Sequence, residues 1–273
     1  IRQGIGNLHV SSVNPAYGVD ILIGAGLVRS VESGCLNMER LGLPRNFCRA
    51  VESGSLKSED FEHLGMTMRY LAGALGISFI PTKAELGSDI VAHQALEAKK
   101  VHIGPCPFTG ETYAILPACT PDLAVVFATQ ADEFGNSQIQ GTAFGDEFIA
   151  KASRQIIVVA EQLVTTEEIR MRPQDTLIPS YRVNALIHEP WGAHPTASPG
   201  HYDYDYEALQ EYQQAARDAA SFQAYIQKYV LGVKDFKAYL DKALTPSRMQ
   251  RLRYDPRLGY SSEIAGSNES VMR

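Results

Sequence analysis

The sequence predicts an α/β fold: a mostly parallel sheet flanked by helices, with further helices packed on it at the C-terminal end. Three observations carry this. Leu123 to Ala128 is a β-branched, apolar run long enough for a buried strand, and the cluster Asp132-Glu133-Phe134-Gly135-Asn136 reverses the chain so that Ser137 to Gln140 pairs back. Gln155 to Ala160 is a second core strand, reached through a helix over Glu147 to Ser153 that Asp146 is placed to cap. Thr165 and Glu168 form a Thr-x-x-Glu capping box, in which each side chain satisfies a free backbone N–H where the next helix starts. Strands and helices that alternate in this way build a mostly parallel α/β sheet.

Upstream, Leu8 to Val13 reads as a short strand, Gly18 to Val28 as an apolar helix on the sheet, and Arg29 to Cys35 as the returning strand. Arg45 to Glu52 is a helix stopped by Gly54, because glycine adopts the left-handed cap conformation at little cost. Ser58 starts the most amphipathic helix of the chain, which runs to Leu75. Phe61, Leu64, Met68, Leu71, Ala72 and Leu75 form one stripe, and His63, Met66 and Tyr70 lie opposite. A second face this apolar requires cover. Gly76 ends the helix, and Ile77 to Pro81 is a strand. Gly87 then permits a close turn, with Ser88 and Asp89 set either to cap the next helix or to face a ligand. Further on, Val183 to His188 is a strand, and a loop rich in Pro, Gly and aromatics leads to helices over Tyr206 to Tyr229 and Val233 to Leu244. The chain is read as one domain over 1–273, with a polar, flexible tail at 261–273.

Composition narrows the function. With 45% hydrophobic and 21% charged residues, a chain of 273 residues buries a full core. No run approaches the roughly 18 to 20 apolar residues of a membrane span, and no signal peptide is visible, so a cytoplasmic protein with no membrane partner is expected. A net charge of -6 argues against a nucleic-acid partner, which needs clustered Lys and Arg. Cys35, Cys48, Cys106 and Cys119 lack Cys-x-x-Cys spacing, and His102, His194 and His201 show no metal-ligand spacing, so no metal is expected. The cysteines read as buried small hydrophobes.

Six short words stand in fixed order along nearly the whole chain. They are PFTGE at Pro107 to Glu111, PD then ADEFGN at Pro121 to Asn136, AEQLVTTEEI at Ala160 to Ile169, GAHP at Gly192 to Pro195, YDYD at Tyr202 to Asp205, and LGY at Leu258 to Tyr260. In this order and spacing the chain resembles the A-type (α) subunit of family I coenzyme A transferases, most closely the glutaconate type. The resemblance implies a NagB/RpiA/CoA transferase-like fold and the transfer of CoA between an acyl-CoA and a carboxylic acid. It implies no permanently bound cofactor, with a coenzyme A thioester as the substrate. It also implies a B-type partner subunit in an α2β2 or larger assembly, with the active site at the junction. In the family a strand and a glycine-rich loop precede the point at which this chain opens, on Ile1, so they are expected to be missing from it.

The implied chemistry needs one glutamate, which attacks the thioester, forms a mixed anhydride and becomes a glutamyl-CoA thioester. In the family it stands in a Glu-x-Gly of the B-type subunit. Here Glu-x-Gly occurs at Glu32, Glu52 and Glu85. Glu32 ends a strand, the better geometry for a nucleophile; Glu52 lies in a last helical turn. By strand order, though, the nucleophile's counterpart is Ser11-Ser12-Val13-Asn14, where no glutamate stands. His63 is a candidate to orient a carboxylate or act as a general base, against a plain polar role at a subunit contact. Asn14, Ser33, Gly87 and Ser88 are the candidate substrate and CoA contacts, because strand ends and the loops after them line ligand sites in α/β sheets. Lys83, Arg45 and Arg69 are alternatives for a second carboxylate of a dicarboxylic acid. His194 and the Asp203/Asp205 pair read as structural. Three other readings stay open: an acyl-CoA hydrolase or decarboxylase on the same fold, a ligand-sensing regulator, which would want a helix-turn-helix and a basic face, and a non-catalytic subunit.

Overall fold

A computed structural model describes residues 1–143 and 145–262. It divides into two compact units, one built from Ile1–Ala124, Phe144–Arg154 and Ala216–Phe222, the other from Val125–Ala143, Gln155–Ala215 and Gln223–Arg273.

The first unit opens with β1 (Leu8–Ser12), α1 (Tyr17–Gly24), β2 (Val28–Ser33), α2 (Arg45–Glu52), β3 (Lys57–Asp60) and α3 (His63–Leu75). The three strands pair in parallel in the order β1-β2-β3, as strands joined by crossover helices must. Ile23, Val28, Val31, Leu36 and Leu56 form the core between this sheet and the first two helices. β4 (Phe79–Thr82), β5 (His102–Pro105) and β6 (Thr112–Pro117) form an antiparallel sheet in the order β4-β6-β5. α4 (Asp146–Ala152) also belongs to this unit, and its Ala152 joins Val13, Phe61, Met66, Tyr70 and Cys119 in a second core cluster.

The second unit holds a five-stranded sheet ordered β10-β8-β7-β9-β11, from β7 (Leu123–Ala131), β8 (Ser137–Gln138), β9 (Gln155–Leu163), β10 (Thr176–Ile178) and β11 (Ala185–His188), with α5 (Thr166–Met171) between β9 and β10. β9 and β11 are parallel, while β8 is antiparallel to both β7 and β10. α6 (Tyr206–Ala215), α7 (Ala219–Ile226), α8 (Phe236–Ala243), α9 (Pro246–Leu252) and the pair β12 (Tyr254–Asp255) and β13 (Tyr260–Ser261) come next along the chain. Trp191, Tyr202, Leu244 and Leu252 form a core here, with Trp191 stacked on Tyr202 at 4.2 Å between centroids.

The α/β class with flanking and C-terminal helices holds, with one parallel and one antiparallel three-stranded sheet and a mixed five-stranded one. The Thr165/Glu168 capping box is complete, at 3.2 Å for Glu168 N–H to Thr165 Oγ1 and 2.8 Å for Thr165 N–H to Glu168 Oε2.

Several local expectations are corrected. The helix read from Ser58 starts at His63, because Lys57–Asp60 pairs with β2, and tertiary strand pairing overrides local propensity. Its leucine stripe is not the buried side: Leu64 is 53% and Leu75 63% exposed, while Gly65, Met66, Arg69, Tyr70 and Ala72 are buried. Small residues decide this, since Gly73 lets α3 lie against Ala152 and the Cys119 carbonyl where a side chain would clash. Asp146 is the first residue of α4 rather than its cap, because Gly145 takes the cap position at φ +90°. The long helix read over Tyr206 to Tyr229 is broken, and Asp218 starts its second piece by accepting the Ser221 N–H at 2.9 Å. Of the cysteines only Cys119 is buried; Cys35, Cys48 and Cys106 are partly exposed. Within the expected tail, Ser261 is buried in β13 and its N–H donates to Asp203 at 2.6 Å; residues 263–273 lie outside the described residues.

Candidate functional site

β1, β2 and β3 point the same way, so their C-terminal ends and the start of α3 gather at one edge of the first unit. The joints there are backbone hydrogen bonds. The Val13 carbonyl accepts from Gly34 N–H at 3.0 Å and Cys35 N–H at 3.2 Å, and Phe61 N–H donates to the Ser33 carbonyl at 2.8 Å. Gly34 makes the crossing narrow: a Cβ on it would stand 2.9 Å from His63 Cα and 3.0 Å from both His63 Cδ2 and the Val13 carbonyl. Asn14, Ser33 and His63, chosen from sequence, are therefore brought to one place. Ser33 is buried, and two atoms of the group, Asn14 Oδ1 and His63 Nε2, are shielded with no hydrogen-bond partner among the described residues.

Glu32 stands one residue inside β2. Its Oε2 is 2.6 Å from Arg69 Nη1, and its Oε1 is 3.6 Å from His9 Nε2. Arg69 is 5% exposed, donates from Nε to the Pro117 carbonyl at 3.0 Å, and lies 4.0 Å over the Phe61 ring. Glu32 is thus the counterion of a buried guanidinium. The other Glu-x-Gly glutamates differ from it and from each other: Glu52 is exposed at the end of α2, and Glu85 is fully buried.

Gly87 and Ser88 lie in the turn after β4, not in the strand-end group. Gly87 has φ +83°, and the Ser88 hydroxyl donates to the Glu85 carbonyl at 2.8 Å, so Ser88 closes its own turn instead of capping. The Glu85 carboxylate carries this turn to α3: Oε1 accepts the Glu62 N–H at 3.2 Å, while Glu62 itself caps α3 through the Gly65 N–H at 3.0 Å. Burial pushes the Glu85 carboxyl above the usual carboxylate range.

Beyond that turn, residues 89–100 are fastened by an ion pair invisible in the sequence. Glu59 and Lys100 are both buried and 3.1 Å apart. Glu59 Oε2 accepts the N–H groups of Ala95 and Leu96 at 2.8 and 2.9 Å, and Lys100 donates to the carbonyls of Ile90 and His93 at 2.7 and 3.1 Å. Of the alternatives for a second carboxylate, Arg69 is held by Glu32, Lys83 pairs with Glu111 at 2.7 Å on the surface, and Arg45 is exposed at the start of α2. Neither Glu59 nor Lys100 sits in a recognisable motif; Arg69 was legible only as a cation on an amphipathic helix.

In the second unit, His194 bonds Tyr239 Oη at 2.7 Å and Asp205 at 3.2 Å, and Asp205 holds Arg248 at 2.6 Å, all buried or nearly so. This arrangement fastens α6, α8 and α9 to the loop, in keeping with a structural reading. Among the described residues no group of three or more His, Cys, Asp or Glu is arranged to hold a metal ion, and no helix is long and apolar enough to cross a membrane.

A family model described as coenzyme A transferase matches residues 1–189. The chain belongs to that family. An uncharacterized protein of Archaeoglobus fulgidus is 33% identical over 93% of this chain, which spans only 56% of that relative's length. The A-type subunit of glutaconate CoA-transferase from Acidaminococcus fermentans is 32% identical over 97% of this chain and 86% of its own. The A-type subunit of 3-oxoadipate CoA-transferase from Pseudomonas knackmussii is 31% identical over 89% and 85%. The crystal structure of the Acidaminococcus glutaconate coenzyme A-transferase superposes with a TM-score of 0.91 at 30% identity, covering 97% of this chain and 87% of that one. Other family chemistries are also near. A cholesterol ring-cleaving hydrolase subunit of Mycobacterium tuberculosis is 29% identical over 80% of this chain and 77% of its own, and the structure of the decarboxylase AibA/AibB gives a TM-score of 0.67 at 27% identity over 83% and 84%.

Proposed function

We propose that this chain is the A-type subunit of a heteromeric acyl-CoA:carboxylate CoA-transferase, whose covalent glutamyl-CoA forms on a B-type partner subunit. The observation that carries the proposal is the Glu32–Arg69 pair. The strand-end glutamate of this chain is spent as the counterion of a buried cation, Glu52 is remote at a helix end, and Glu85 is buried, so none is a free nucleophile at the edge where the strands end. Likeness to the A-type subunits of two CoA-transferases, over most of each chain, points the same way.

In this reading the partner's glutamate attacks the acyl-CoA carbonyl and expels CoA thiolate, which re-attacks the anhydride at the glutamyl carbonyl, releasing the first carboxylate and leaving CoA on the glutamate; the second carboxylate then reverses the sequence and departs as the new acyl-CoA, freeing the glutamate. The A-type chain supplies one wall. Asn14, Ser33 and His63 border the substrate at the strand ends, and Gly87 and Ser88 line the adjoining turn. A His63 Nε2–H donates to the substrate carboxylate or the developing oxyanion, where a positioned donor matters most. The substrate is a dicarboxylic acid or its CoA ester, the assembly is α2β2 or larger, and the site is cytoplasmic.

A second reading, acyl-CoA hydrolysis or decarboxylation, draws on the hydrolase and decarboxylase relatives. One experiment separates them. The chain is assayed alone and with its B-type partner on glutaryl-CoA, with and without acetate. Acetyl-CoA formed only by the complex supports transfer. Free CoA released at the same rate without acetate supports hydrolysis, and full transfer by the isolated chain refutes the subunit reading.

A further inference from the structure

We propose that Glu85 is a positioning residue of this site: its carboxyl ties the Gly87–Ser88 turn to the first turn of α3 and so sets where His63 stands. This rests on the site assignment made under Proposed function. Glu85 belongs to the turn through its backbone, since its carbonyl accepts both the Ser88 hydroxyl at 2.8 Å and the Ser88 N–H at 3.3 Å. It belongs to α3 through its side chain, whose Oε1 takes the Glu62 N–H at 3.2 Å, one residue before His63. The fit is close on the far side as well. A Cβ at Gly65 would collide with Oε1 and come within 3.3 Å of Leu116 Cδ1, so only glycine admits the carboxyl there.

Burial favours the uncharged acid at this position. Glu85 is 0% exposed, and its Oε2 has no hydrogen-bond partner among the described residues. A buried carboxylate needs donors or a counterion. The Glu62 N–H, and Lys100 and Arg69 from a distance, favour its charged form, but burial outweighs them, and among the described residues no cation is hydrogen-bonded to Oε2. On α3, Arg69 is engaged by Glu32 and the Pro117 carbonyl, and Glu62 adds like charge. Ahead of β5, Lys100 donates to the Ile90 and His93 carbonyls and stands 3.1 Å from the Glu59 carboxylate. β6 presents Leu116, and on Glu85's own turn Lys83 faces Glu111. Burial accordingly raises the carboxyl's proton affinity. Ionisation would place a second anion beside Glu62 and loosen the tie.

The test uses the A/B complex with E85A and E85Q, read as kcat and KM across pH, together with hydrogen exchange at Glu62 and Ser88. The expected result is a loss of about tenfold or more in kcat/KM for E85A, faster exchange at both amides, and recovery of most of both by E85Q, which keeps the acceptor without the charge. E85Q should also lack any loss of activity that follows ionisation of Glu85 as pH rises in the wild type. A residue that only supports the fold would lower Tm and leave kcat/KM unchanged well below it. The inference is overturned if E85A keeps kcat/KM within twofold, or if E85Q is as impaired as E85A. Should the wild-type complex show no CoA chemistry at all, the functional reading falls by itself. The exchange at Glu62 and Ser88 then decides the inference: unchanged rates in E85A overturn it.

Discussion

Replacing Glu32 by Gln separates an ion-pair role from a nucleophilic one. The substitution leaves the shape of β2 intact and removes the charge that faces Arg69 at 2.6 Å. The side chains of the pair are 13% and 6% exposed, so solvent screens little of the loss. Breaking a buried pair by removing one partner costs about 3–5 kcal/mol. Arg69 keeps the Pro117 carbonyl and the Phe61 ring, which places the expected cost near the lower end, about 3 kcal/mol. In a chain of this size that lowers Tm by roughly 6–12 °C. The double substitution E32L/R69M should recover a large share, because no charge is then left buried. The assay is a thermal melt of the complex beside CoA-transfer kinetics at 20 °C. The expected E32Q enzyme is less stable and retains turnover within about tenfold. A loss of about a thousandfold or more with an unchanged Tm would refute the reasoning and make Glu32 the nucleophile.

Three further outcomes rest on the geometry. Gly34→Ala drives a methyl against the backbone of His63 and Val13, so it should destabilise by about 1–3 kcal/mol and depress kcat/KM more than Gly18→Ala, which meets open space; melts and kinetics of both variants decide it. Lys100→Met leaves Glu59 buried without its cation, and hydrogen exchange at Ala95 and Leu96 should quicken far more than in β6; equal protection in the variant would rule out the clamp. Burial pushes the Asp205 carboxyl up, but the hydrogen bonds of His194, Arg248 and the Ala208 N–H outweigh it and hold the group well below the usual carboxylate range. A depressed folded value means that the stability is complete above the unfolded value of about 3.9 and is lost as pH falls through the folded one. Asp205→Asn should therefore cost stability at pH 7 and flatten the acid limb of Tm against pH; an unchanged acid limb contradicts this.

Local rules made much of this fold legible. The capping box at Thr165 and the Asp132 turn each satisfy their own backbone within a few residues, the β-branched runs around Val126 and Val158 carry their strand signal in their own composition, and each stands where the sequence places it. Failure came where distant partners decide. Lys57–Asp60 becomes strand because β2 offers it a ladder, and α3 turns its small residues inward because Cys119 and Ala152 approach it from far along the chain. The site obeys the same division. Strand-end logic finds Asn14, Ser33 and His63 together, whereas the Arg69 counterion of Glu32 and the Glu59–Lys100 clamp join residues 37 and 41 positions apart with no motif to announce them.

The central claim is that the covalent intermediate belongs to another chain. Incubating the A/B complex with acyl-CoA, quenching with borohydride or hydroxylamine and mapping the modified peptide by mass spectrometry tests it most directly. The account predicts a modified glutamate in the B-type partner, with none in this chain. A label on Glu32 or on any other glutamate of this chain would contradict it.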